Sequence, residues 1–127
     1  GTQGIYLFNS DNARIGGAGV GNVVSGNPDG IVMGSSASNN VITGNYVGTN
    51  ATGTSAVPNT RIGIYVLNSP SNSVTGNLVS GNTGDGIIIW GGDSVDNVVQ
   101  SNLVGTTFNG TAALGNTFRG IGIRGGA

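Results

Sequence analysis

Five aspartates (Asp11, Asp29, Asp85, Asp93, Asp96) and four arginines (Arg14, Arg61, Arg119, Arg124) are all the charged side chains of this sequence, which has no Lys, Glu, His or Cys. Acid–base chemistry would therefore rest on carboxylates alone. Glycoside hydrolysis needs two of them across one bond, about 5 to 10 Å apart. Asp93 and Asp96 are the pair closest in sequence, in the turn Gly92-Asp93-Ser94-Val95-Asp96-Asn97, with Trp90 just before it. Turn aspartates commonly bond their own backbone, and that is the first reading of this pair. Arg61 and Arg119 close two related segments, Thr49 to Arg61 and Thr106 to Arg119. Trp90, Asp93, Asp96, Arg61 and Arg119 form the set that would meet an acidic sugar. With no His or Lys to share the work, an enzyme is disfavoured, and no cofactor or metal is called for.

The elements that would position these residues come from one phrase, Gly-Ile-any-apolar. It occurs at Gly4-Ile5-Tyr6-Leu7, Gly30-Ile31-Val32-Met33, Gly63-Ile64-Tyr65-Val66, Gly86-Ile87-Ile88-Ile89 and Gly120-Ile121-Gly122-Ile123. Its period of two predicts a short strand with Ile and its i+2 partner on one face. The returns are 26, 33, 23 and 34 residues apart (Gly4, Gly30, Gly63, Gly86, Gly120). Recurrence at that spacing marks a solenoid, in which each repeat buries its apolar face on its neighbours.

The shortest turn, from Gly63 to Asp85, holds three strands. Aligning the others on it gives a second inward column, Ile15, Ile42, Val74 and Val99, and a third, Val24, Val47, Val79 and Val104. The fold class predicted is all-β: a right-handed parallel β-helix of about four coils plus a closing strand, three short strands per coil. It forms one domain over 1–127, with coils starting near 4, 30, 63, 86 and 120. Asn12, Asn40, Asn72 and Asn97 would open the second strand. Gly44-Asn45, Gly76-Asn77 and Ser101-Asn102 form the next corner, and Gly26-Asn27 and Gly81-Asn82 follow the third strand. Asn tolerates a left-handed bend and its amide can bond the coil above, so these read as corners and ladders. Asp29 and Asp85, two coils apart before equivalent Gly residues, read as corner chemistry too.

If Ile and its i+2 partner point inward, the outer face of the first strand carries Tyr6, Val32, Tyr65 and Ile88, then Phe8, Gly34, Leu67 and Trp90. A contiguous apolar patch usually marks an interface or a covered surface. Tyr6, Phe8, Val32, Tyr65, Leu67, Ile88 and Trp90 are the interface set, and the expected partner is a second copy of the chain. Cover by the chain's own loops and sugar stacking on Tyr6, Tyr65 and Trp90 are the alternatives. For the two long segments, the expectation is that they fold back over the strands. Regular outward Thr ranks of the kind that bind ice are broken, because Gln100 follows Thr43 and Thr75.

Composition narrows the partners. With 26 Gly, 7% charged residues and a net charge of -1, the chain has no electrostatic footprint for nucleic acid or an anionic bilayer. The apolar run from Ile87 to Trp90 is far short of a membrane span, and the start Gly1-Thr2-Gln3 lacks the regions of a signal peptide. Two motif matches fail. Gly16-Gly17-Ala18-Gly19-Val20-Gly21-Asn22-Val23 imitates a calcium-binding nonapeptide but has Gly21 where Asp belongs. Gly120-Ile121-Gly122-Ile123-Arg124-Gly125 spells a dinucleotide fingerprint with no helix after it.

The sequence resembles bacterial proteins built of right-handed parallel β-helix repeats, often long secreted or surface chains. The resemblance rests on Asn22-Val23-Val24-Ser25-Gly26-Asn27 and on two extended corners. One is Gly44-Asn45-Tyr46-Val47-Gly48-Thr49 running on to Gly53-Thr54 and Asn59. The other is Asn102-Leu103-Val104-Gly105-Thr106 running on to Gly110-Thr111-Ala112-Ala113-Leu114-Gly115-Asn116. It implies an extracellular or cell-surface scaffold and transfers no catalytic motif. Such repeats usually run in larger arrays, so the chain reads as a fragment or minimal piece with uncapped ends. The function expected is a non-enzymatic structural or adhesive module that associates through its first-strand face or those ends. The alternative is a carbohydrate-active β-helix that binds or cleaves a polysaccharide with Asp93, Asp96 and Trp90.

Overall fold

The computed structural model describes residues 1–127, and every regular element in it is a strand. The first coil holds β1 (Gln3–Phe8), β2 (Arg14–Ile15) and β3 (Val23–Val24). The second holds β4 (Asp29–Gly34), β5 (Val41–Thr43) and β6 (Tyr46–Val47). The third holds β7 (Ile62–Leu67), β8 (Ser73–Thr75) and β9 (Leu78–Val79). The fourth holds β10 (Asp85–Trp90), β11 (Val98–Gln100) and β12 (Leu103–Val104), and β13 (Ile121–Arg124) closes the stack. Strands join into three parallel sheets, β1-β4-β7-β10-β13, β11-β8-β5-β2 and β12-β9-β6-β3. This is the right-handed parallel β-helix that the periodicity predicts.

Register stacks like on like. Ile5 pairs with Ile31, Ile31 with Ile64, Ile64 with Ile87 and Ile87 with Ile121. Ile15-Ile42-Val74-Val99 and Val24-Val47-Val79-Val104 do the same in the other two sheets. Ile31, Ile64, Ile87, Ile42, Val74, Val47 and Val79 are fully or almost fully buried. Burying each such side chain stabilises by about 1.5 to 3 kcal/mol. The Gly that opens the phrase has a steric cause. A Cβ at Gly30 would lie 2.4 Å from the Gly63 carbonyl oxygen and 2.8 Å from Val47 Cγ1, so this position has no room for a side chain.

Three Asn ladders run up the corners. One is Asn40-Asn72-Asn97, the second Asn22-Asn45-Asn77-Asn102 and the third Asn27-Asn59-Asn82-Asn116. Asn77 shows the unit. Its Oδ1 accepts from Asn45 N (3.0 Å) and Nδ2 (3.1 Å), and its Nδ2 donates to Ile42 O (3.0 Å) and Asn102 Oδ1 (3.0 Å). Each rung satisfies backbone groups that a corner takes out of the sheets, where leaving them unpaired is costly.

Two expectations about the corners are corrected. Asn12 is not a rung: register sets Arg14 against Val41, so Ala13 faces Asn40 and its N–H donates to Asn40 Oδ1. Nor do the ladder Asn make the left-handed bends. The residue before the rung often does, as at Asn39 (φ 55°), Ser71 (φ 58°), Asp96 (φ 57°), Gly44 (φ 71°) and Gly76 (φ 65°).

The long segments fold back over the third sheet, as expected. Antiparallel bridges Thr49-Ala56 and Thr106-Ala113 make each a small hairpin. Gly53 packs close to Leu78 and Tyr46, and the Phe108 N–H donates to the Gly53 carbonyl (3.0 Å), so the hairpins touch across the short third coil. Asn59 and Asn116 return each segment to the ladder. Thr43 pairs with Thr75 and Thr75 with Gln100, so the Thr rank ends there.

Candidate functional site

The outer face of the first sheet carries rows set by register. Asp29, Ile62 and Asp85 align; so do Tyr6, Val32, Tyr65, Ile88 and Gly122; and Leu67, Trp90 and Arg124. Exposure along it is uneven. Tyr6, Phe8 and Trp90 are 46%, 61% and 42% exposed, whereas Val32 and Ile88 are buried. Tyr65 and Leu67 are half-buried. The expectation of a continuous apolar strip is therefore corrected at Val32 and Ile88. Val32 lies between the large rings of Tyr6 and Tyr65 in its row, and Ile88 is packed beside Gly122 close to the stem of Arg119. Tyr6 and Phe8 meet edge to face at 5.7 Å, and Tyr65 and Trp90 lie 6.5 Å apart.

Beside these rings stand five of the chain's nine charged residues. Arg61 donates to Asp29 Oδ2, Arg119 Nη1 to Asp85 Oδ1 (3.2 Å), and Arg124 Nη2 to Asp85 Oδ2 (3.4 Å). The Arg119 N–H also donates to Asp85 Oδ1 (3.0 Å). Asp29 and Asp85 side chains are 6% and 9% exposed, while Arg61 and Arg119 are 61% and 55% exposed. Carboxylates thus lie beneath and guanidinium heads above. The Arg124 guanidinium carbon sits 4.9 Å from the centre of the Trp90 ring, a cation–π contact.

Burial pushes the Tyr65 hydroxyl above its ordinary value; Arg124 and Arg61 oppose this and Asp29 adds to it. Two buried side-chain atoms have no hydrogen-bond partner, Asp29 Oδ1 and Arg124 Nε, and both belong to this cluster. Elsewhere, Asp11 Oδ1 accepts from Ser38 N (2.9 Å) and Oγ (2.8 Å), which holds its carboxyl below the usual range.

The family model for a right-handed beta helix region matches residues 1–126. The chain belongs to the right-handed β-helix family. Comparison with curated proteins and with solved structures gives no match.

In this β-helix the residues expected to meet a carbohydrate separate into two groups. Arg61, Arg119 and Trp90 lie on the first-sheet face, the two arginines on Asp29 and Asp85 and Trp90 beside Tyr65 and Arg124. Asp93 and Asp96 lie in the turn beyond Trp90, both exposed and without a hydrogen-bond partner. Their backbone bonding does not occur because Ser94 holds the turn, its Oγ donating to Trp90 O (2.8 Å) and its N–H to Gly91 O (2.9 Å). Asp96 instead lines an open pocket of about 470 Å³ at the end of the coil stack, with Ile89, Val99 and Ile123. No group of three or more metal-ligating side chains is assembled.

Asp29 and Asp85 are not corner residues but the anchors of Arg61 and Arg119. Coil alignment carried the signal, since each Asp opens a strand and each Arg closes the next long segment, 32 and 34 residues on. Nothing in the repeat pointed to Arg124.

Proposed function

We propose that this chain is a non-catalytic structural or adhesive β-helix module that docks a partner on the outer face of its first sheet, in an extracellular or cell-surface setting. The observation that supports it is the exposure of Tyr6, Phe8 and Trp90 on one face whose buried carboxylates are already held by arginines. A carboxylate bound under a guanidinium is a poor general base, and the two unbound ones, Asp93 and Asp96, lie exposed in the turn that follows Trp90. Aromatic side chains offer large contact area at low entropic cost, which suits docking.

Self-association is the simplest form of that docking, through the uncharged end of the face where Tyr6 and Phe8 meet. Solution mass by light scattering over a concentration series tests it. Wild type should pass from monomer to dimer, and Phe8→Asp should remain monomeric because it sets a charge in the contact without touching the cluster at Asp29 and Asp85. A dimer that persists unchanged in Phe8→Asp would move the interface off this end of the face.

A further inference from the structure

We propose that Asn109 is a site of self-modification: helped by three donors on its Oδ1, the backbone nitrogen of Gly110 displaces the side-chain amide and leaves aspartate or isoaspartate at the tip of the second hairpin. Asn109-Gly110 is the only Asn-Gly step in the sequence. Glycine sets no Cβ beside the attacking nitrogen. Its φ of 71° at Gly110 is a turn conformation that other side chains rarely take.

The donors converge on one atom. Thr111 Oγ1 donates to Asn109 Oδ1 at 2.7 Å, Thr107 Oγ1 at 2.9 Å and the Thr111 N–H at 3.2 Å. A backbone N–H can meet only the oxygen of an amide, so this last bond fixes which way the side chain is turned. It leaves Nδ2 with no hydrogen bond inside the chain. When a nitrogen adds to Cγ, negative charge gathers on Oδ1, and donors already aimed there stabilise it. Asn109 is exposed, so water reaches both the amide and what replaces it.

The step balances with the chain and water alone. The bond from Gly110 N to Cγ forms as the bond from Cγ to Nδ2 breaks. The Gly110 N–H proton goes to solvent and a solvent proton joins the departing nitrogen, so that ammonia leaves and a cyclic imide remains. Water then opens the imide at either carbonyl, giving aspartate or isoaspartate. In the resting turn the Gly110 N–H donates to the Thr107 carbonyl (2.9 Å), and this bond opens first. A hydrogen bond at an exposed hairpin tip opens readily.

Other asparagines lack part of this arrangement. In the first hairpin Asn50 Oδ1 also accepts backbone N–H groups, from Thr54 (2.9 Å) and Ser55 (3.2 Å). Its Nδ2, however, is held by Thr54 Oγ1 (3.2 Å), and the next residue is Ala51. Ladder residues such as Asn77 are buried, with Nδ2 donating to the chain.

Conversion adds one negative charge to a chain whose net charge is -1. The isoaspartate form also lengthens the backbone by a methylene between Thr107 and Ala112, which pair through the Thr107 N–H and the Ala112 carbonyl (3.0 Å). That loosens the second hairpin, which lies over the third sheet, and leaves the first-sheet face unaltered.

Wild-type protein is incubated in mildly alkaline buffer, and its peptides are followed by mass spectrometry with fragmentation that separates aspartate from isoaspartate. Asn109 should convert to both, with Asn50 about tenfold slower or more. Thr111→Val keeps the N–H and the shape but removes the closest donor, and should slow conversion of Asn109 about tenfold. Circular dichroism melting checks that the variant is folded. A merely loosened turn would have the opposite sign, because greater freedom brings Gly110 N to Cγ more often. Conversion in folded Thr111→Val as fast as in wild type or faster, Asn50 converting as fast as Asn109, aspartate without isoaspartate, or no conversion at Asn109 would each overturn the inference. The comparison of Asn109 with Asn50 in wild type stands even if Thr111→Val does not fold.

Discussion

The inside of the coil stack and the outer face of its first sheet use polar groups in opposite ways. Inside, Asn40, Asn45, Asn59, Asn72, Asn77 and Asn82 are buried, and every one both accepts and donates hydrogen bonds within the chain. Outside, the cluster of Asp29, Asp85, Arg61, Arg119 and Arg124 contains both unpartnered buried atoms of the molecule. A polar group that completes a fold has all its partners in the chain. One that is left incomplete, next to exposed aromatic rings, marks a surface shaped by something other than stability.

The largest expected effect breaks the inside. Asn77→Ala removes an acceptor and a donor from a buried ladder and should destabilise by roughly 3 kcal/mol or more, read from urea unfolding. Gly63→Ala comes next. Its Cβ would stand 2.7 Å from the Gly86 carbonyl oxygen and 2.8 Å from Val79 Cγ1, and overpacking of this kind costs about 1 to 3 kcal/mol. A Gly63→Ala protein as stable as wild type would contradict the steric account of the repeated Gly.

The outer cluster should respond much less. Asp29→Asn keeps shape, removes a buried charge with an unpartnered oxygen, and loses only a pair whose guanidinium is mostly in water. Stability should change by less than about 1 kcal/mol. A loss as large as that of Asn77→Ala would erase the contrast between inside and outside. The smallest effect is alkaline. The folded Tyr65 hydroxyl titrates above the ordinary 10.0, so the unfolded chain ionises first. Stability is then unaffected by this group below pH 10 and falls as pH rises from there through the folded value, because the unfolded state has released its proton. Tyr65→Phe should flatten that alkaline decline in thermal melts.

What the sequence made legible follows the same division. Ile31, Ile64 and Ile87 announce themselves because a stacked column repeats residue type at each coil, and the Asn corners do so for the same reason. Asn12 misled by one position, because a left-handed corner residue and a ladder rung are adjacent and Asn suits both; only register tells Ala13 from Asn12 as the partner of Asn40. The outer face was half legible. Alternation put Tyr65 and Trp90 outward, but it could not show that Val32 and Ile88 are covered by neighbours a coil away. Arg61 and Arg119 were visible as ends of similar segments, whereas their pairing with Asp29 and Asp85 needs the coil to close. Arg124 reaches Asp85 along the strand direction from another row, a path that no repeat period encodes.

Hydroxyl-radical footprinting of the associated protein against the dilute monomer tests most directly whether the first-sheet face is the functional surface. The account predicts that oxidation falls at Tyr6 and Phe8 and is unchanged at Val57, Leu103 and Phe108, which are also exposed. Protection at Phe108 and Leu103, or at Ile121 and Ile123 on the end of the stack, with Tyr6 and Phe8 still fully reactive, would contradict it.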